Sequence, residues 1–257
     1  MGQPVFSSAT ADAVAFYRRH GWVLTATLDA AACVAVREWV EAVMAWPDDG
    51  DWLHYREMTS GGPRLCRTEN FVPFHAGLRE LLATGAMVET AGALLGEPAV
   101  LYKEKINYKA IGGAGYAPHQ DAPAYRFVES HVSCMVAIDD ADAENGCLEV
   151  ASDAFETVLP MDGEGCIRAD VVDALDWETV ELRAGTTLWF HSRTPHRSGS
   201  NRSDRDRRAL YPTYNARREG DLRAAYYEQK LAEFTRSGGV DGRVQVSLIN
   251  DFQGRSV

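Results

Sequence analysis

The hydrophobic pattern of the chain changes period near residue 99. Before that point apolar side chains recur at three- and four-residue steps. Ala32, Val36, Trp39, Val40 and Val43 form such a stripe within Asp29 to Trp46, the signature of a helix with one buried face. Ala11 to His20 reads as an earlier helix stopped by Gly21, and Pro47 follows the second. Shorter helices are predicted over Ala76 to Ala83 and Met87 to Leu95, with Gly85 and Gly96 as punctuation, so the first hundred residues are expected to be helical. From Ala99 onward, short runs rich in Val, Thr, Tyr and Leu are separated by Gly, Asn and Asp clusters, the texture of antiparallel strands. Strands are predicted over Val100 to Lys109, Val132 to Ile138, Cys147 to Ala151, Thr179 to Leu182, Thr186 to His191 and Arg207 to Asn215, and a last helix over Leu222 to Phe234. The expected molecule is a single, mainly β domain with flanking helices: a helical part over about 1–98, a barrel or sandwich over about 99–217, and a C-terminal helix over about 221–234.

A chain of 257 residues is long for one domain, but β barrels with added helices reach this size. The net charge of −11, from 26 basic and 37 acidic residues, has the wrong sign for a protein that binds by neutralising phosphates, so no nucleic-acid partner is expected. No apolar run approaches the roughly eighteen residues of a membrane-crossing helix, and the N-terminus lacks a basic region followed by an apolar stretch. The five cysteines are widely spaced, with no C-x-x-C, which argues against a disulfide framework or a thiolate zinc site and fits a reducing cytoplasm. The expected partner is a small molecule; the sequence leaves the oligomeric state open.

The chemistry concentrates in two short segments. Ala117-Pro-His-Gln-Asp121 sets an imidazole and a carboxylate two residues apart, and in an extended chain both leave one strand face. His196, in Thr194-Pro-His-Arg-Ser-Gly-Ser-Asn201, would complete two His and one carboxylate, a facial set that leaves positions open on iron(II). The tripeptide alone is weak, because seven His among 37 acidic residues give roughly one H-x-D/E by chance. Gly112, Gly113 and Gly115 would let the backbone bend close to a bound group. Arg207, eleven residues after His196 at the start of the run Ala209-Leu-Tyr211, could point inward, where a buried guanidinium needs an anion. The far carboxylate of a keto diacid chelating iron would meet that need, with Ser198 as a second donor. His191, beside Trp189 and Phe190, reads as a structural histidine, and Tyr226 and Tyr227 as packing residues.

These residues carry a family resemblance. Through Gly115-Tyr-Ala-Pro-His-Gln-Asp121, Glu144-Asn-Gly-Cys-Leu148 and Pro195-His-Arg-Ser-Gly-Ser-Asn201 the chain resembles the phytanoyl-CoA dioxygenase superfamily of iron(II)- and 2-oxoglutarate-dependent oxygenases, from about Ala13 to Lys230. The resemblance implies a double-stranded β-helix (jelly roll, cupin-like) core. It also implies iron on His119, Asp121 and His196, 2-oxoglutarate on Arg207 and Ser198, with Asn107 nearby, and dioxygen as the second cosubstrate. Related halogenases carry a small residue where this chain keeps Asp121, so oxidation rather than halogenation is implied. Arg67-Thr-Glu-Asn-Phe71, Lys103-Glu-Lys-Ile-Asn-Tyr-Lys109 and Tyr211-Pro-Thr-Tyr-Asn215 look like the small-molecule branch that includes 2-aminoethylphosphonate dioxygenase.

The physical content of that likeness is alternation. Lys103, Lys105, Asn107 and Lys109 share one strand face, and Arg207, Tyr211 and Asn215 another. Turned inward, the lysine face would receive 2-oxoglutarate and a small anionic or zwitterionic substrate, a phosphonate or an amino acid derivative; turned outward, it would be a solvated edge. Candidate substrate contacts are Lys103, Lys105, Lys109, Tyr116, Arg126, Tyr211 and Asn215. The expected reaction is hydroxylation of an aliphatic C–H. Desaturation or cyclisation by the same chemistry, a zinc hydrolase, and a non-catalytic metal-binding module on the same barrel remain as alternatives.

Overall fold

The computed structural model describes residues 2–59, 62–125, 128–237, 243–245 and 253–255. In chain order its strands are β1 (Val5–Phe6), β2 (Trp22–Ala26), β3 (Leu53–Thr59), β4 (Gly62–Glu69), β5 (Ala99–Lys109), β6 (Tyr116–His119), β7 (His131–Ala137), β8 (Leu148–Val150), β9 (Glu178–Val180), β10 (Thr186–His191), β11 (His196–Ser198) and β12 (Arg207–Ala216), followed by a short pair, Arg243–Gln245 with Gln253–Arg255. The helices are α1 (Ala11–His20), α2 (Ala30–Met44), α3 (Ala76–Ala83), α4 (Gly85–Leu95), α5 (Ala169–Val172) and α6 (Arg223–Ser237).

A large sheet of order β1-β2-β10-β7-β12-β5-β4-β3 packs against a smaller one of order β6-β11-β8-β9. An apolar layer of Trp22, Leu24, Met135, Leu148, Val150, Val180, Leu188 and Phe190 joins the two sheets. On the other face of the large sheet, α1 to α4 bury Tyr17, Val36, Val40, Leu78, Leu82 and Met87 against Ile106, Val132, Cys134, Trp189 and Leu210. This is the expected double-stranded β-helix with helices outside. Strand β7 shows why both layers close: all seven residues are buried, Val132, Cys134 and Val136 toward the helices and Ser133, Met135 and Ala137 toward the barrel.

The helical boundaries follow their capping chemistry. Thr10 accepts the Ala13 N–H and Asp29 the Ala32 N–H, and Gly21 and Gly96 end α1 and α4 in the left-handed region at φ 77°. Asp29 therefore precedes α2 rather than beginning it. The expectation of an all-helical first hundred residues needs correction, because β2, β3 and β4 lie there and extend the large sheet on both sides. Strand β2 is a short apolar run buried along four of its five positions, so it has no alternation to read. In β3 and β4 the inward positions hold Glu57, Arg67 and Glu69, charges that satisfy one another and nearby groups only once folded. Among the described residues no helix is long and apolar enough to cross a membrane.

Candidate active site

The two metal-motif segments meet as neighbouring strands. In the β6–β11 pair His196 lies opposite His119, and β8 runs along the other edge of β11. The backbones come close here. A Cβ on Gly115 would collide with the Ser198 carbonyl, and one on Gly146, at φ 72°, with the Gly199 carbonyl. The glycine at 115 thus serves strand-to-strand approach, not access to a bound group as the sequence suggested.

Asp121 reaches the site by a different route from the one expected. Strand β6 ends at His119, and Asp121 sits in helical backbone (φ −70°, ψ −33°) at the head of a 3-10 turn over Ala122–Ala124. The turn, held by the Ala122 N–H on the Ser192 carbonyl, delivers the carboxylate in place of a shared strand face. One ligand atom each of His119, Asp121 and His196 falls within 4.8 Å of the others, all three residues buried.

Each donor is fixed from behind. His119 Nδ1 donates to the Ala117 carbonyl at 2.8 Å and His196 Nδ1 to the Thr194 carbonyl at 3.0 Å, which leaves both Nε2 lone pairs facing inward. Ser133 Oγ, on β7, donates to Asp121 Oδ2 at 2.5 Å, and Asp121 Oδ1 lies 4.0 Å from His196 Nε2. Burial and the adjacent His196 ring push His119 down to about 3, and burial also lowers His196, so both rings are neutral lone-pair donors at neutral pH. Burial alone would raise the Asp121 carboxyl, but His196, Lys103 and Lys105 hold it well below the usual carboxylate range. Two imidazole nitrogens and one carboxylate suit iron(II) and fill one side of its coordination sphere.

Next to this triad stands a wall of cations on β5 and β12. Lys109, Asn107, Lys105 and Lys103 lie opposite Arg207, Ala209, Tyr211 and Thr213. The lysine face is turned inward, with Lys103, Asn107 and Lys109 buried and Lys105 and Asn107 lining the cleft, and β5, between β12 and β4, is no edge. Arg207 is 2% exposed; its Nη1 contacts Met135 Sδ at 3.8 Å and its Nε has no partner. No carboxylate lies within ion-pair distance of it among the described residues, and a buried guanidinium left so is costly. The keto diacid expected at this place would supply the anion. Ser198 Oγ, 2.9 Å from Lys109 Nζ, stands at the same end.

The ammonium of Lys103 lies 3.9 Å from the Tyr125 ring centre and that of Lys105 5.3 Å from the Tyr211 ring centre. Neither bonds to a protein acceptor among the described residues. Burial pushes Lys105 down to about 8, with Arg67 adding to the effect, and burial lowers Lys103 well below its ordinary value. Lys105, Asn107, Tyr116, Tyr125, Ser133, Tyr211 and Thr213 line a cleft together with the triad. Asn107 is held by Arg67 Nε at 3.2 Å, and Tyr116 accepts from Arg67 Nη2 at 2.9 Å.

One expected contact falls elsewhere and one is not described. The Asn215 amide donates to the carbonyls of Ala216 and Gly220, closing the end of β12 away from the cleft lining. Arg126 lies outside the described residues. His191 accepts the Arg193 N–H through Nδ1, a structural role as expected. Tyr227 does pack, donating to the Glu104 carbonyl at 2.7 Å, but Tyr226 also accepts from Lys230, which in turn pairs with Glu69. Arg67 and Ser133 were not among the sequence candidates. Arg67 had a signal, in the quoted Arg67-Thr-Glu-Asn-Phe71; Ser133, inside an apolar run, had none.

Ser133→Ala removes the hydroxyl that fixes Asp121. It is expected to weaken iron binding by about 10- to 100-fold while the fold is kept, read as the iron concentration needed for half-maximal activity against the unfolding midpoint.

The comparisons agree with this geometry. The family model described as phytanoyl-CoA dioxygenase (PhyH) matches residues 17–209. The chain is 48% identical over 223 residues to a methylphosphonate hydroxylase of Gimesia maris, covering 86% of each chain. It is 37% identical over 225 residues to a 2-aminoethylphosphonate dioxygenase of the uncultured bacterium HF130_AEPn_1, covering 85% of this chain and 86% of the other. Among solved structures, EctD from S. alaskensis with 2-oxoglutarate and 5-hydroxyectoine superimposes with a TM-score of 0.73 at 17% identity, covering 85% of this chain and 80% of that one, a likeness of fold. The chain belongs to the phytanoyl-CoA dioxygenase family of iron(II)- and 2-oxoglutarate-dependent oxygenases.

Proposed function

We propose that this enzyme hydroxylates a C–H bond of a small phosphonate. The observation that carries the reading is the pair Lys103, which is buried, and Lys105, which is half-buried: their ammonium groups have no protein acceptor among the described residues and lie over tyrosine faces beside the triad. A phosphonate carries up to two negative charges on a compact head. Set there, it would replace the missing counter-charge and favour the protonated form of both lysines. The phosphonate relatives support the same substrate class.

In this reading His119 Nε2, Asp121 and His196 Nε2 hold iron(II). Arg207 and Ser198 grip the far carboxylate of 2-oxoglutarate, Asn107 being fixed beside them by Arg67. Iron with 2-oxoglutarate and dioxygen supplies the C–H oxidation, yielding hydroxylated substrate, succinate and carbon dioxide. The chain's own work is to bind, orient and exclude water: Tyr125, Tyr211, Leu148 and Phe190 give the cleft apolar walls that hold the substrate carbon near the metal position. A zinc hydrolase or a binding module would have no use for the orphaned Arg207 guanidinium. Five unpaired cysteines fit work in a reducing cytoplasm on a small-molecule substrate.

The cleft also favours one kind of phosphonate. The one carboxylate among its lining residues, Asp121, faces the metal position, and Glu69 behind it is engaged, pairing with Lys230 at 2.7 Å and Arg67 at 3.4 Å. A substrate ammonium would find no unengaged carboxylate there and would lie near Lys105, so methylphosphonate is expected to exceed 2-aminoethylphosphonate by at least about tenfold in kcat/KM, since like-charge contacts are costly. Lys105→Met is expected to raise KM for the phosphonate by about 10- to 100-fold with the KM for 2-oxoglutarate little changed. The test is phosphonate-dependent succinate release with the product mass read in parallel. Succinate release that no phosphonate stimulates would sink the proposal.

A further inference from the structure

Arg207 and Lys109 lie directly opposite one another across β12 and β5, on the same inward face, both buried. Like charges so placed repel. The groups around the Lys109 amine come from four neighbouring segments. Arg207 adds positive charge from β12, the Tyr116 ring of β6 lies 5.8 Å away, and Glu57 of β3 and Cys147 before β8 favour the charged form. Glu57 does not reach the amine as an ion pair; its Oε2 accepts the Ala114 N–H at 3.4 Å. Lys109 Nζ instead donates to the Gly199 carbonyl at 2.5 Å and Ser198 Oγ at 2.9 Å, with the Gly146 carbonyl third at 3.3 Å. A guanidinium does not release its proton in proteins, so with no anion present the lysine is the member of the pair that gives way.

We propose that Lys109 is a positioning residue for 2-oxoglutarate: it takes up a proton from solvent as the keto diacid binds, and by donating to Ser198 Oγ it turns the serine hydroxyl proton toward the far carboxylate. The inference rests on the reading of Arg207 as the cosubstrate's anchor. In the empty site a neutral amine has two N–H groups, enough for the two short acceptors. The arriving carboxylate offsets the Arg207 charge, and the third N–H then meets the Gly146 carbonyl. That carbonyl is built into place, because at φ 72° a side chain on Gly146 would strike both the Gly199 carbonyl and the lysine amine. A serine oxygen that accepts from lysine keeps its own proton free to donate. Burial, then Arg207, pushes Lys109 down to about 6, so at pH 7.5 the empty site holds mostly the neutral amine.

The experiment is anaerobic calorimetry of 2-oxoglutarate binding to the iron(II)-loaded enzyme at pH 7.5, in two buffers of different ionisation enthalpy. The native enzyme is expected to take up close to one proton per cosubstrate bound, and its dissociation constant to rise up to about tenfold per pH unit between pH 6.5 and 8.5. Lys109→Met, always neutral, and Lys109→Arg, always charged, are both expected to bind with no uptake from this position and a flat pH profile. Circular dichroism of each variant checks the fold, and Lys109→Arg keeps the question open to measurement if Lys109→Met unfolds. Cosubstrate binding with equal proton uptake in native and variant enzymes, or with none in the native enzyme, overturns the role of Lys109 alone. Absence of cosubstrate binding in the native enzyme overturns the reading of Arg207 with it.

Discussion

Asp121→Ala is expected to leave a folded protein that neither retains iron nor turns over. The carboxylate is the one anionic donor of the triad, and two neutral imidazoles cannot by themselves hold iron(II) against water in a site that also contains Lys103 and Lys105. Loss of activity by at least about a thousandfold is expected, with iron content near background. The side chain lines the cleft, where Ser133 holds it, so the unfolding midpoint should move little. Succinate release and iron content measured on the same preparation check this. Full turnover with full iron in the variant would mean that the metal sits elsewhere.

Arg207→Met is expected to move stability and cosubstrate affinity in opposite directions. The guanidinium is buried beside Met135 with its Nε unpartnered, so without 2-oxoglutarate it is a charge the fold tolerates at a cost. An apolar side chain of similar length removes that cost, and a stability gain of about 1–4 kcal/mol is expected for the cosubstrate-free protein. In the proposed reading the same change removes the partner of the far carboxylate, so KM for 2-oxoglutarate should rise by about 100- to 1,000-fold, equivalent to about 3–4 kcal/mol. Thermal melts and steady-state kinetics on one variant read both effects. A function such as this forces the residue on the fold, which pure packing would not choose; an unchanged KM would contradict it.

Much of the architecture was legible because it follows from short-range rules. Helices α1 and α3 and strand β10 fall where periodicity and punctuation put them. What resisted reading were segments whose burial depends on partners far along the chain. Glu57, Arg67 and Glu69 look like surface residues until Lys230, Tyr116 and Asn107, from 40 to 161 positions away, close around Arg67 and Glu69. Asn215 shares a strand face with Arg207 and Tyr211, yet it lies at the far end, where the turn after β12 claims its amide. Face-sharing gives direction; it does not give depth.

The sequence by itself determined the chemical vocabulary: the spacing of His119, Asp121 and His196, the arginine eleven positions beyond, and the two-residue alternation that lines Lys103, Lys105, Asn107 and Lys109 on one face. Local geometry writes such patterns directly into the order of residues. Only the tertiary structure decided that this face is interior, because the smaller sheet carrying His119 and His196 closes over it. It also decided that Asp121 arrives by a turn and that Arg207 and Lys109 confront each other without a carboxylate between them. These are consequences of strand pairing over long sequence separations, and an unmet charge exists only where the fold has removed the water that would otherwise meet it.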